Sequence, residues 1–331
     1  MPARGAPAGD RRPDTVHPDT VHPDTVHPDT VHPDTVHPDT VHPDTVHPDT
    51  GPAMSHLTFP VPGVTRLARA APTARSSDVP SAPSARSGGP GASVRTAVVW
   101  EVLTAALREA DPDGRGLDVV DAGGGTGSFA VPLAEAGHRV TVVDPSPDSL
   151  AALQRRAAER GLADRVVALQ GDLTDLPALL PPDRADLVLC HSVLEVVDDP
   201  DAALAAVAGV LRAGGRLSLL VAGRDAAVLA RALAGRPEEA ARALTDPAGR
   251  WGAGDGIVRR WTLAQLAELV ARAGMEVEQV HGVRTVADLV PSALLDAEPG
   301  AAAALLALER RLSTLAPFRE LATQLHVLAT R

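Results

Sequence analysis

The sequence predicts an α/β protein: a Rossmann-like, mostly parallel seven-stranded sheet flanked by helices, with a helical insertion before the last strand. Three observations carry this. From residue 117 onward, short apolar runs alternate with segments of helical period, the pattern of a parallel sheet covered on both faces. The first run, 119–122, opens into Gly123-Gly124-Gly125-Thr126-Gly127. The second, 140–143, ends in Asp144.

Taken in order, the first element is a helix over 94–110, with apolar residues at 94, 98, 99, 102, 103, 106 and 107 and Ser93 as its N-cap. Strand 117–122, helix 127–137 and strand 139–143 follow, then a helix over 146–160 that Gly161 closes. Strands at 166–170 and 185–190 precede a helix over 200–211 that ends before Gly214-Gly215, and a strand at 216–221. Two Ala-rich helices (225–234 and 237–244) lead to Trp251 and a Gly-rich loop. A helix over 262–273, a strand over 275–280, a helical insertion at about 286–316 and a strand over 324–329 complete the pattern.

Ahead of this lies a segment of another kind. Residues 13–47 are seven copies of Pro-Asp-Thr-Val-His, with an eighth broken off at Thr50. A proline every fifth residue forbids a helix or a central strand, and one Val per repeat cannot build a core. Residues 51–92 are rich in Pro, Ser, Ala and Gly. Residues 1–92 are therefore expected to be disordered, and 93–331 to form the folded domain. Periodic histidines invite a metal-binding reading. A translated tandem repeat upstream of a second initiator, Met54, explains them more simply.

The net charge of −11 divides into −3 for residues 1–92 (10 acids, 7 Arg) and −8 for the remainder (32 acids, 24 Arg). An acidic domain argues mildly against nonspecific nucleic-acid binding. One cysteine, Cys190, excludes an internal disulfide and a Cys-based zinc site. No apolar run approaches the ~18 residues of a membrane span, and no secretory h-region opens the chain. The expectation is a cytoplasmic protein, monomeric or homodimeric, with no membrane partner and no metal.

Glycines at 123, 125 and 127 let the backbone turn sharply and bring amide N–H groups against a ligand. Asp144, about 20 residues on, stands where an acid accepts hydrogen bonds from ribose hydroxyls. A dinucleotide fingerprint requires a glycine at position 128, where this chain has Ser128, so a nicotinamide oxidoreductase is disfavoured. No G-x-S-x-G elbow, no H-E-x-x-H and no clustered metal ligands stand outside the repeat.

The pattern Asp121-x-Gly123-x-Gly125-x-Gly127 resembles the first motif of class I S-adenosylmethionine-dependent methyltransferases. The resemblance implies that Gly123, Gly124 and Gly125 hug the methionine half of that cofactor. It implies further that Asp172 with Leu173 lies along the adenine, with Asp175 as second choice and a helix-capping role as the alternative for either. His191, at the end of the fourth strand, would face cofactor or substrate, or simply close the strand.

A narrower likeness covers about residues 93–331. The runs 190–200 (Cys-His-Ser-Val-Leu-Glu-Val-Val-Asp-Asp-Pro), 210–219, 282–289 (Gly-Val-Arg-Thr-Val-Ala-Asp-Leu) and the ending through His326-Val327-Leu328-Ala329 resemble the tRNA 5-carboxymethoxyuridine methyltransferases. That family methylates a carboxylate, which needs no base. The resemblance implies that Arg95 pairs with the methionine carboxylate, that Trp100 flanks the cofactor, and that Arg284 holds the acceptor's carboxylate or a phosphate. A pair with Asp288 at i+4 is the alternative for Arg284. Where the family is lysine-rich before the helix at 262–273, residues 250–261 carry three arginines and two tryptophans, able to meet phosphates and stack on a base, with packing of the tryptophans as the alternative. The implied partner is a methyl acceptor, tRNA or a small acid. A metabolite methyltransferase and a non-catalytic nucleoside-binding protein are the other readings.

Overall fold

A computed structural model describes residues 94–331. The expectations for the repeat, the linker and Ser93 fall outside those residues. Seven strands, β1 (Asp118–Ala122), β2 (Arg139–Asp144), β3 (Val166–Gln170), β4 (Ala185–His191), β5 (Leu211–Ala222), β6 (Glu276–Val283) and β7 (Gln324–Thr330), form one sheet in the order β3-β2-β1-β4-β5-β7-β6. The first five run parallel, and β7 lies antiparallel between β5 and β6. The strand order reverses between β1 and β4, where an open α/β sheet leaves a crevice at its strand tips.

The apolar runs reflect burial on both faces. On one side, α1 (Ala97–Ala110), α2 (Ala130–Glu135) and α3 (Pro147–Glu159) bury Leu103, Leu133 and Leu153 against Val119, Val142 and Leu189. On the other, α5 (Pro200–Val210) and α8 (Leu263–Arg272) bury Leu204, Val207 and Leu266 against Val188, Leu217 and Leu219. Alternation along β4 and β5 sends successive side chains to opposite layers. Leu103 and Leu266 are fully buried, and each such leucine contributes about 1.5–3 kcal/mol by leaving water.

The remaining helices are α4 (Leu176–Leu179), α6 (Arg224–Leu233), α7 (Pro237–Thr245), α9 (Ser292–Ala297) and α10 (Ala301–Leu312), the last two forming the insertion expected before the final strand. Boundaries differ where glycines intervene. The helix expected from residue 127 starts at Ala130, because Gly127 has a left-handed φ of 82° that cannot continue a helix. Strand β5 begins at Leu211, straight after α5, rather than at 216: Leu211 already pairs with Ala185. Strand β6 extends to Val283, since β7 offers it partners as far as Gln324.

Candidate functional site

The glycine loop owes its shape to what lies beneath and beside each glycine. Gly123 has φ 78°, and a Cβ there would stand 2.3 Å from Val193 Cγ2. A Cβ on Gly124 would meet the Asp121 carboxyl at 2.5 Å. Gly125 donates its N–H to Asp144 Oδ2 at 2.9 Å, and Ser146 N–H donates to Asp144 Oδ1 at 2.9 Å. Asp144 thus ties the loop after β1 to the start of α3. Each of its oxygens keeps a second lone pair for a ligand.

Asp121 went unremarked as a site residue. It is 3 % exposed, and its Oδ2 has no partner. Burial, with the negative charge of Asp144 nearby, pushes its pKa up to about 7. Its spacing from the glycines was legible. Its burial was not, because that depends on how the loop folds back over it.

Beside the loop, three rings meet. Trp100 of α1 stacks on Phe129 with centroids 4.8 Å apart, and Phe129 stands edge-on to His191 at 4.6 Å. His191 then begins a chain across the sheet. Its Nε2 lies 2.9 Å from Ser218 Oγ, which lies 2.8 Å from His326 Nε2, and the His326 ring is 5.9 Å from that of His281. These residues sit on neighbouring strands with side chains on the same face, a proximity no sequence spacing reveals. Burial lowers the pKa of His191 to about 3, and burial with the neighbouring histidines holds His326 well below its usual value. Both rings are therefore neutral at physiological pH. Ser218 donates its one proton to one imidazole and accepts from the other, so the two histidines carry opposite tautomers.

Other predicted residues have structural duties. Asp172 Oδ1 accepts Thr174 N–H at 2.8 Å and Asp175 Oδ2 accepts Asp172 N–H at 3.0 Å, a capping box that opens a short 3-10 turn at Leu173–Asp175. Both residues therefore cap this turn. The Leu173 side chain is packed into the core. Arg95, largely exposed, pairs with Asp288 at 3.3 Å, and Arg284 pairs with the same carboxylate at 2.6 Å, the i+4 alternative. Arg284 nonetheless keeps a buried Nε with no partner, and its φ of 62° is left-handed. Cys190 is buried and free, and burial raises its thiol pKa.

Arg284 lines a cavity of about 520 Å³ at the tips of β4, β5 and β7. Ser192, Glu195, Arg231, Trp251 and Gln324 also line it. Of the three arginines in the loop before α8, Arg250 and Arg259 are half-buried and Arg260 is taken up inside the fold. Arg260 is buried in a bidentate pair with Asp255 (2.6 and 2.8 Å) and donates to Gly249 O, and Trp261 is packed in the core. Burial works against the Asp255 charge, but Arg260 and the amides of Ile257 and Trp251 outweigh it and hold the pKa near 2. Trp251 of this loop is half-buried, with the Arg231 guanidinium 4.0 Å from its ring centre. Among the described residues no helix is long and apolar enough to cross a membrane, and no cluster of three or more His, Cys, Asp or Glu could hold a metal ion.

Residues 120–219, which span the glycine loop, Asp144, Asp172, His191 and Ser218, match the family model described as "Methyltransferase domain". A tRNA 5-carboxymethoxyuridine methyltransferase of Escherichia coli K12 is 37% identical over 127 residues, 38% of this chain and 48% of that protein. A ubiquinone biosynthesis O-methyltransferase of Xanthomonas euvesicatoria pv. vesicatoria is 34% identical over 169 residues, 51% of this chain and 66% of that one. The chain thus spans about half the length of the first relative and somewhat more of the second. A solved S-adenosylmethionine-dependent methyltransferase from Mesorhizobium loti, 25% identical, superposes with a TM-score of 0.45 over 69% of this chain and 96% of that one.

Proposed function

We propose, from the class I, S-adenosylmethionine-dependent methyltransferase domain that residues 120–219 carry, that this protein methylates an anionic oxygen, with a carboxylate on tRNA as the leading acceptor. The cradle formed by the glycine loop and Asp144 is the observation that carries the reading. Gly123 and Gly124 let the loop pack so closely on Val193 and Asp121 that no Cβ fits at either position. Asp144 is oriented by Gly125 and Ser146 with lone pairs to spare for two ribose hydroxyls. These residues fit the cofactor. Gly123, Gly124, Gly125 and Asp144 would hold it, with Trp100, Phe129 and His191 beside them. Asp172, Leu173 and Arg95 are secondary candidates, since their recorded contacts are caps, core packing and an ion pair.

S-adenosylmethionine supplies a methyl group that its sulfonium has already made electrophilic. The protein's own work is then to align an acceptor for in-line attack and exclude water. A carboxylate arrives as a nucleophile and needs no base, in keeping with a buried neutral His191. Arg284 Nε, without a partner at the cavity wall, suits an anionic oxygen. The likeness to the E. coli tRNA enzyme supports tRNA, and a second hollow beside Arg242, Thr245 and Arg250 would suit a phosphate.

One observation favours a small-molecule acid as the second reading. Arg260 and Trp261, two of the groups that could have met tRNA, are consumed inside the fold. The test is transfer of tritiated methyl from S-adenosylmethionine by the full chain to bulk tRNA, RNase-treated tRNA or a small-molecule extract. Label in intact RNA that mild alkali removes is expected. Label confined to small molecules supports the second reading, and no label in any arm overturns the enzyme.

A further inference from the structure

Glu195 sits in the turn after β4 and is 7 % exposed. Its Oε1 accepts the N–H of Ala222, the last residue of β5, at 2.8 Å. Its Oε2 is buried and has no partner. A buried carboxylate oxygen left without a donor is costly, so an unfilled one points to something that arrives. The side chain lines the cavity described above and, among the described residues, is the sole carboxylate in its wall.

Several donors in that wall are engaged elsewhere, whereas Arg284 Nε has no partner. Arg260 serves Asp255 and Gly249, while Arg231 pairs with Glu239 at 3.3 Å and covers Trp251. Gln324 donates to Ser192 Oγ. The backbone here is held in an unusual state as well. Ser192 and Arg284, two of the three described non-glycine residues with left-handed φ, both line the cavity. Strain of this kind persists only where surrounding structure imposes it. A volume of about 520 Å³ suits one ring-sized group with its substituents.

We propose that Glu195 is a specificity-determining residue that accepts a hydrogen bond from a ring N–H or O–H of the methyl acceptor, while Arg284 meets the acceptor's anionic oxygen in the same cavity. This rests on the methyltransferase reading for the word acceptor, but the binding it describes does not depend on turnover. The ligand class is a planar acid that carries both a carboxylate and a donor on its ring. Glu195 sets which acids enter by leaving its oxygen unpaired when the donor is missing, the arrangement that discriminates most sharply in buried sites.

The experiment is calorimetric titration of two matched pairs into the full chain, with and without S-adenosylmethionine. One pair is 5-carboxymethoxyuridine and its ring-N-methylated derivative. The other is para-hydroxybenzoate and para-methoxybenzoate. The donor-bearing member of at least one pair is expected to bind about tenfold or more tightly than its methylated partner. In Glu195→Gln that preference is expected to vanish, because the amide oxygen keeps the Ala222 bond and an NH₂ group replaces the free oxygen. Melting temperature and S-adenosylmethionine affinity of the variant, both expected unchanged, show that the fold and cradle survive. Which pair discriminates tells an imide from a phenol. Equal binding within both pairs, no binding of any probe, or discrimination that survives Glu195→Gln overturns the proposal. Loss of S-adenosylmethionine binding by the unmodified protein instead overturns the methyltransferase reading alone.

Discussion

Two buried acids at strand tips, Asp144 and Glu195, are held in opposite ways. Both oxygens of Asp144 are engaged by backbone amides, one from the loop after β1 and one from the start of α3. Glu195 has one oxygen bonded to the tip of β5 and the other to nothing. The first belongs to a cradle assembled before any ligand arrives, from residues 121–146. The second belongs to a wall drawn from the turn after β4, β5, β7, α6 and the loop near Trp251. The contrast teaches a division of labour. The sheet's first half is preorganised for one invariant partner, and its second half is left incomplete where the partner decides the fit.

The largest effect should come from breaking the finished side. Gly123→Ala puts a Cβ 2.3 Å from Val193 Cγ2 at a left-handed φ, so the loop must move. Titration calorimetry should show S-adenosylmethionine affinity falling by about 100-fold, since a left-handed non-glycine residue and a clash together cost a few kcal/mol. An affinity within threefold of the parent would mean that the loop is not the cofactor cradle.

A smaller effect sharpens the same side through pH. Asp121 ionises near 3.8 when unfolded and near 7 in the fold, because burial and the Asp144 charge disfavour its anion. Between those values the native state binds the extra proton, so stability falls as pH rises from about 4 to 7 and does not recover above. Asp121→Asn cannot ionise. Urea melts at pH 5 and pH 8 should show the parent losing on the order of 2 kcal/mol more than the variant across that interval. Parallel losses would mean that Asp121 keeps an ordinary pKa.

The smallest effect lies on the seam between the halves. Ser218→Ala leaves two imidazole nitrogens of His191 and His326 without a partner, a cost of about 1 kcal/mol. The melting temperature should drop, and nitrogen NMR should show the paired opposite tautomers of His191 and His326 lost. Unchanged histidine spectra would remove Ser218 from the chain.

How much of this was legible depends on the range of the contacts involved. The glycine loop, Asp144 and the strand–helix alternation lie within short windows, and period and turn chemistry read them directly. Asp172 and Asp175 mark the limit of that reading. A polar turn after a strand looks alike whether it meets adenine or caps a 3-10 helix, and here Asp172 Oδ1 caps. Arg284 stood between carboxylate ligand and i+4 ion pair, and the fold displays the pair together with an orphaned Nε. Arg260 reads as a group able to meet phosphate, yet Asp255, five residues before it, draws it inward, and Trp261 takes the packed alternative.

The sequence by itself determined the class of sheet, the positions of its strands to within a few residues, and the loop that marks a nucleoside cofactor. Each rests on periodicity and glycine stereochemistry, which act over a handful of neighbouring residues. Only the tertiary structure decided the rest. It set His191, Ser218 and His326 in one line across three strands, and it left Glu195 half-paired beside a cavity that Arg284 and Trp251 enter from distant loops. Those arrangements depend on which strand lies beside which. That is settled when both faces of the sheet are buried at once, and no local window of the chain records it.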